Sequence, residues 1–289
     1  MPELRQTAAS LGYAATLDAA WADHHASRET NAPTVISTFA GTGGSSLGYS
    51  MAGYRELLAV EWDDHAAACF RLNFPEVPLF HGDIASLSVD EALNRAGIQP
   101  GELSVFDGSP PCQGFSTAGR RALDDPRNQL FREYCRLLEG LKPRAFVMEN
   151  VSGMVKGKMK LIFSDILRGL KSLGYQVSAR LMNAAAYGVP QSRPRMIFIG
   201  IREDLNTKPS HPTPGGQIVT VAQAFRNLPD GPDVSDGPFT GDRAKLAMRI
   251  RPHADRDVDK KGSSYNLKRL DWNKPSRTIL KSIGAPHKV

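Results

Sequence analysis

A thiol, a carboxyl and two guanidinium groups stand in this chain where folding could bring them to one place. Cys112 lies within Asp107-Gly-Ser-Pro-Pro-Cys-Gln-Gly-Phe-Ser116, behind two prolines that make a rigid turn. The apolar run Leu103 to Asp107 before it has the pattern of a buried strand, and Gly108 to Pro111 stops that strand abruptly. A thiol just past a strand's carboxyl end is where open α/β sheets put ligands and chemistry, and deprotonated it is a nucleophile. A packed structural cysteine is the alternative, although such residues usually sit inside periodic apolar stretches. Glu149 follows a further strand, Ala145 to Met148, in Glu149-Asn-Val151. Burying a lone carboxylate is costly, so an acid at such a terminus is a candidate for proton or charge work, with capping of the next helix as the alternative. Arg193 and Arg195 lie in Gln191-Ser-Arg-Pro-Arg195, a loop joining the strands Tyr175 to Met182 and Met196 to Ile201. If that hairpin is the last pair of strands, both guanidinium groups point to the same end of the sheet; otherwise the loop is a solvated basic one.

The elements that would carry these groups begin with Val35 to Ala40, a strand, then Gly41-Thr-Gly-Gly-Ser-Ser-Leu-Gly48 and a short helix ending near Gly53. Strand, glycine turn and helix form the first unit of a nucleotide-binding sheet. A second strand, Arg55 to Val60, ends in Glu61-Trp62-Asp63. An acid about 20 positions beyond the first glycine is placed to accept from ribose hydroxyls, and Trp62 can lie against an adenine face. A surface carboxylate is the plainer account of Glu61. A third strand, Pro78 to Phe80, leads to Gly82-Asp83-Ile84, where Asp83 could accept from an adenine amino group.

Between these signatures, Thr117 to Asp125 is a polar, basic stretch of the kind that covers clefts. Asp125-Pro126 starts a helix whose apolar stripe is Leu130, Tyr134, Leu137, Leu138 and Leu141. Cys135 there, like Cys69 in its own helix, is expected in the core. Leu161 to Leu173 is a further amphipathic helix stopped by Gly174. The expected fold is α/β, a doubly wound Rossmann-like sheet over 34–205. Residues 1–33 are an extension with a helix near Ala14 to His25. Residues 206–289 are a small irregular region, helical near Ile218 to Leu228 and extended near Ser263 to Leu270.

A chain of 289 residues, 41% hydrophobic, holds ample core, and no run crosses a bilayer or forms a signal peptide. Three scattered cysteines suit neither a disulfide framework nor a zinc cluster, which points to a reducing cytoplasm and away from metal catalysis. A net charge of +6 and a pI near 9.3 suit an anionic partner, and basic clusters beside the motifs favour nucleic acid over a merely solvated face.

The order Phe39-Ala-Gly-Thr-Gly-Gly44, Glu61-Trp62, Asp107-Gly-Ser-Pro-Pro-Cys-Gln113, Glu149-Asn-Val151 and Gln191-Ser-Arg-Pro-Arg195 resembles that of the bacterial cytosine-5 DNA methyltransferases. The resemblance runs from about Thr34 to Asp204 and implies an S-adenosylmethionine-binding fold, a flipped cytosine of duplex DNA and a covalent cysteine adduct. On that footing Cys112 adds to carbon 6 of the base, and Glu149, protonated and therefore with a raised pKa, donates to the ring nitrogen at position 3. Arg195, with Arg193 in support, holds the base carbonyl or the adjoining phosphate. Phe39, Thr42 and Gly44 line the cofactor, Glu61 takes its ribose, and Trp62, Asp83 and Ile84 surround adenine. Pro111 and Leu130 lie near the methionine portion, and Gly41 and Gly43 permit close approach. Gln113, Ser116, Arg120 and Arg121 become nucleic-acid contacts. The expected location is the cytoplasm, at the bacterial nucleoid, as for a modification methylase of a restriction system.

Complete members continue into a leucine- and arginine-rich helix and an Asn-containing segment that closes the cofactor site. Lys274 to Ile279 resembles the approach to the first, so the expectation is a truncation, a decayed product or a chain completed by a second polypeptide. Three rival functions stand beside this one: a tRNA cytosine-5 methyltransferase with the same Cys112 and Glu149, a non-catalytic DNA-binding module, and a nicotinamide dehydrogenase. The last leaves Cys112, Glu149 and Arg195 unexplained.

Overall fold

The computed structural model describes residues 13–24, 29–111, 129–152, 159–226 and 270–279. The chain divides into two compact units, one of Ala20–Met182 with Pro194–Pro212, the other of Met1–Ala19, Asn183–Arg193 and Thr213–Val289.

The first unit is built on a seven-stranded sheet. Its strands are β1 (Thr34–Thr38), β2 (Arg55–Glu61), β3 (Leu79–His81), β4 (Val105–Gly108), β5 (Ala145–Val151), β6 (Tyr175–Asn183) and β8 (Pro194–Arg202), ordered β3-β2-β1-β4-β5-β8-β6. The pairs from β3 through β5 are parallel, and β8 runs antiparallel to β5. The chain winds outward from β1 to β3, returns to the other side of β1 and winds outward again through β4 and β5. A crevice opens at that reversal, beyond the carboxyl ends of β1 and β4, which is where such sheets bind ligands. The glycine turn leaves one of these strands and the proline turn leaves the other.

In chain order the helices are α1 (Tyr13–His24), α2 (Gly44–Met51), α3 (Asp64–Asn73), α4 (Val89–Ala96), α5 (Gln129–Leu141) and α6 (Met159–Ser172). Asp63 caps α3 by accepting from the Ala66 N–H, and Ser88 caps α4 by accepting from Glu91. Successive residues of β4 face opposite ways. Asp107 meets Ser45 and Tyr49 of α2, whereas Phe106 stacks on Tyr134 of α5 at 4.9 Å, so these two helices lie on opposite faces.

Of the expected α5 stripe, Tyr134, Leu137, Leu138 and Leu141 are buried, whereas Leu130 is only partly so and Phe131 takes the buried place at that end. Each such side chain contributes roughly 1.5–3 kcal/mol of apolar burial. Tyr134, Phe146 and Tyr175 continue the core edge to face, and the Tyr175 hydroxyl donates to the Pro143 carbonyl at 2.9 Å. Strand β4 runs to Gly108 and does not stop before it. A side chain there would enter Thr38 Oγ1 and the Tyr134 ring, so glycine is what lets the strand continue beneath α5.

The second unit contains the short parallel pair β7 (Gln191–Ser192) with β9 (Ser276–Arg277), a tight turn at Ala184–Tyr187 and the helix α7 (Val221–Phe225). Thr220 and Gln223 form a reciprocal cap at the start of α7. Val221 and Ala222 donate to the carbonyls of Lys274 and Trp272, both at 3.0 Å.

Candidate active site

The glycine turn holds an uncommon backbone. Phe39, with φ of 57°, occupies the left-handed region usually left to glycine, as do Gly41 at 58° and Gly43 at 95°. A non-glycine residue held there costs about 1–3 kcal/mol and such positions gather at functional sites. A side chain at Gly43 would run into the Phe74 ring. Thr42 is exposed, and Gly44 opens α2.

Glu61, 7% exposed at the end of β2, stitches this turn to its own strand. Its Oε2 accepts from the Gly41 N–H at 2.7 Å and its Oε1 from the N–H groups of Trp62 and Asp63 at 3.0 and 2.9 Å. A carboxylate has about four acceptor positions, so about one remains for a ligand hydroxyl. Trp62 beside it is 74% exposed and offers a bare indole face. Asp83 turns one carboxylate oxygen onto the Ala85 N–H. Ile84 is core, 4% exposed, with its carbonyl held by Arg136. Leu130 packs partly against the same core.

This set fits an adenosine-bearing ligand: a carboxylate for a ribose, an exposed indole for a purine face, an acid for an amino group and a turn without side-chain bulk.

At the far side of the crevice, Arg195 Nε stands 2.7 Å from Glu149 Oε1, joining the end of β5 to the start of β8, where Val151 faces Arg195 in register. Asn150, 3% exposed, spends its Nδ2 on the Pro110 carbonyl at 3.1 Å and its Oδ1 on the Val151 N–H at 2.8 Å. The residue after Glu149 therefore grips the turn that leads to Cys112. Pro110 is buried and Pro111 exposed. Arg193 belongs to the second unit, where its N–H donates to Asn183 Oδ1 at 2.9 Å. Cys112, Gln113, Ser116, Arg120 and Arg121 lie outside the described residues, as do the stretch Thr117 to Asp125, the Asp125-Pro126 helix start and Ser263 to Arg269.

Three groups emerge that sequence reasoning passed over. Asp107 accepts from the Ser45 hydroxyl and from the Tyr49 hydroxyl, the latter at 3.3 Å. Burial pushes its carboxyl up to about 6, with Glu149 adding to the rise while Ser45 and Tyr49 oppose it. Glu56 on β2 accepts from Ser46 at 3.0 Å, and burial raises it to about 7. Asn150 is the third. An acid inside an otherwise apolar strand was the available signal for the two carboxyls.

Cys69 and Cys135 are unbridged, and burial drives the Cys135 thiol up to about 12, which suits a packed residue and not a nucleophile. Among the described residues no cluster could hold a metal ion, and no helix is long and apolar enough to cross a membrane.

Residues 33–279 match the profile of the C-5 cytosine-specific DNA methylases. The chain is 40% identical over 200 residues to the type II methyltransferase M.XorII of Xanthomonas oryzae pv. oryzae, covering 68% of this chain and 47% of that one. Against the type II methyltransferase M.AquIA of a Picosynechococcus strain it is 40% identical over 190 residues, covering 63% and 77%. It thus spans about half the length of the first relative and most of the second. Among solved structures, a protein of an E. coli prophage named as a DNA modification methyltransferase superposes with a TM-score of 0.66 at 26% identity, over 85% of this chain and 82% of that one. The profile match spans the glycine turn, the Glu61 carboxylate, the proline turn and the Glu149–Arg195 pair together. The chain belongs to the C-5 cytosine-specific DNA methylase family.

Proposed function

We propose that this chain transfers a methyl group from S-adenosylmethionine to carbon 5 of a cytosine in duplex DNA, as a modification methylase. The observation that carries this is the Glu149–Arg195 pair beside a proline turn anchored by Asn150, across the switch point from the glycine turn.

Carbon 5 of cytosine is a poor nucleophile. The Cys112 thiolate adds to carbon 6, forming a sulfur–carbon bond and driving the ring electrons toward carbon 5 and the ring nitrogen at position 3. Glu149 in its protonated form donates to that nitrogen, and its contact with Arg195 sets the orientation of the carboxyl. Bound S-adenosylmethionine supplies the electrophilic methyl. After transfer the carbon-5 proton leaves to a base, the ring electrons return and the bond to Cys112 breaks. Because the reacting carbons are inaccessible within a duplex, the nucleotide has to swing out, with Arg195 supplying a planar cation to the base carbonyl or phosphate. Glu61, Trp62 and Asp83 hold the adenosine portion.

The test uses the full chain, S-adenosylmethionine and a pool of duplexes with 5-fluorocytosine at every cytosine, so that no recognition sequence need be known. Fluorine cannot leave as the proton does, and the adduct persists. A denaturant-stable protein–DNA adduct is expected, absent in Cys112→Ser and formed roughly 10²–10⁴-fold more slowly in Glu149→Gln. No adduct on duplex DNA, or one on structured RNA alone, overturns the proposal.

A further inference from the structure

Asp107 is a half-buried carboxyl that this mechanism leaves without a task. On β4 it pairs with Ser37 of β1 on one side and with Val147 of β5 on the other, so it straddles the reversal of the sheet. Its oxygens receive the hydroxyls of Ser45 and Tyr49, both on the helix that the glycine turn begins. Glu149 follows Val147 by two positions on the same face of β5 and bears on Asp107 electrostatically. Asp107 therefore joins the donor side of the crevice to the base side. Ser45 is exposed, so the pair lies at the open end of the sheet.

A methyl group passing from one side to the other travels as part of a cation, and leaves behind a neutral thioether. We propose that Asp107 is the counter-charge of the sulfonium, a specificity residue that favours S-adenosylmethionine over S-adenosylhomocysteine. The inference rests on the proposed function and adds to it a means of releasing product. An opposite charge within about 4–6 Å stabilises an ionised carboxylate, and the stabilisation disappears when the charge does.

The surroundings make the effect measurable. The titratable groups that bear on Asp107 electrostatically are Tyr49 on α2, Glu149 on β5, Glu56 on β2 and, from the opposite face, Tyr134 on α5, and Glu149 is itself paired with Arg195 of β8. None of them supplies Asp107 with a direct cationic partner, and desolvation pushes its carboxyl up to about 6. A cation arriving beside it expels the proton, whereas a neutral ligand does not.

The experiment is calorimetric titration of the full chain with each ligand at about pH 6, in two buffers of different ionisation enthalpy. Proton release is expected with S-adenosylmethionine and not with S-adenosylhomocysteine. Asp107→Asn should abolish the release and reduce the affinity ratio of the two ligands roughly 10-fold or more. Ser45→Ala and Tyr49→Phe, which remove hydrogen bonds and keep the charge, should retain the preference. An unchanged ratio in Asp107→Asn, or no proton release by the wild-type chain, overturns the inference alone. Should Asp107→Asn not fold, the wild-type measurement decides. Binding of neither ligand by the wild-type chain overturns the proposed function as well.

Discussion

Asp107 and Glu56 are held protonated more readily in the folded chain than in the unfolded one, at about 6 against 3.8 and about 7 against 4.5. A raised carboxyl contributes stability that is fully present below its unfolded pKa and is lost as pH rises through the folded value. Each of these groups therefore costs up to about 3 kcal/mol near pH 8 relative to about pH 4. Asp107→Asn, which removes the charge and keeps one acceptor oxygen, is expected to raise the urea midpoint at about pH 8 and to change it little at about pH 4. Glu149 and Arg195 stand out in the sequence after an apolar run and in a basic stretch, and the structure pairs them, with Glu149 inside β5 and Arg195 inside β8. Asp107 was not legible, since its hydrogen-bond partner Ser45 lies 62 residues away in the chain. Asn150 was quoted within its motif without a task, because the carbonyl it grips belongs to Pro110, 40 residues earlier.

Strands announce themselves by composition, and those of this sheet lie within a residue or two of where their apolar runs put them, except β5, which continues three residues past Met148 to Val151 in register with β8; the ends move where packing decides. Leu103 packs in the core from outside the strand, while Gly108 is inside it because Thr38 and Tyr134 leave no room for a side chain. Helix α4 carries a clear Ser88 cap but is only eight residues long, too few for a periodic apolar stripe to stand out. Two substitutions probe how elements meet. Gly200 on β8 faces Phe146 of β5 with no space for a methyl group, so Gly200→Ala should cost roughly 1–3 kcal/mol in urea denaturation. Asn150→Ala leaves the buried Pro110 carbonyl without this donor. It should slow adduct formation while the affinity for S-adenosylmethionine stays within about 2-fold, because the turn it loosens leads to the thiol while Glu61, Trp62 and Asp83 stand at the ends of other strands.

At the scale of the chain, the net charge of +6 should make DNA binding strongly salt-dependent. The logarithm of the affinity is expected to fall linearly with log salt, with a slope of about −0.9 for each phosphate neutralised. A flat salt response would remove the electrostatic case for a nucleic-acid substrate. Residues 206–289, read only as a small irregular region, were the least legible part, since the order there comes from pairings that no local pattern betrays. Ser276 and Arg277 complete a two-residue ladder with Gln191 and Ser192, and the Thr278 hydroxyl donates to the Ser192 carbonyl across 86 positions. That clasp has a consequence for synthesis on the ribosome. The segment around Gln191 emerges long before its strand partner has been translated, so this part of the protein cannot be locked until Ser276 and Arg277 have been delivered, and nascent chains paused earlier should be cut by protease there first.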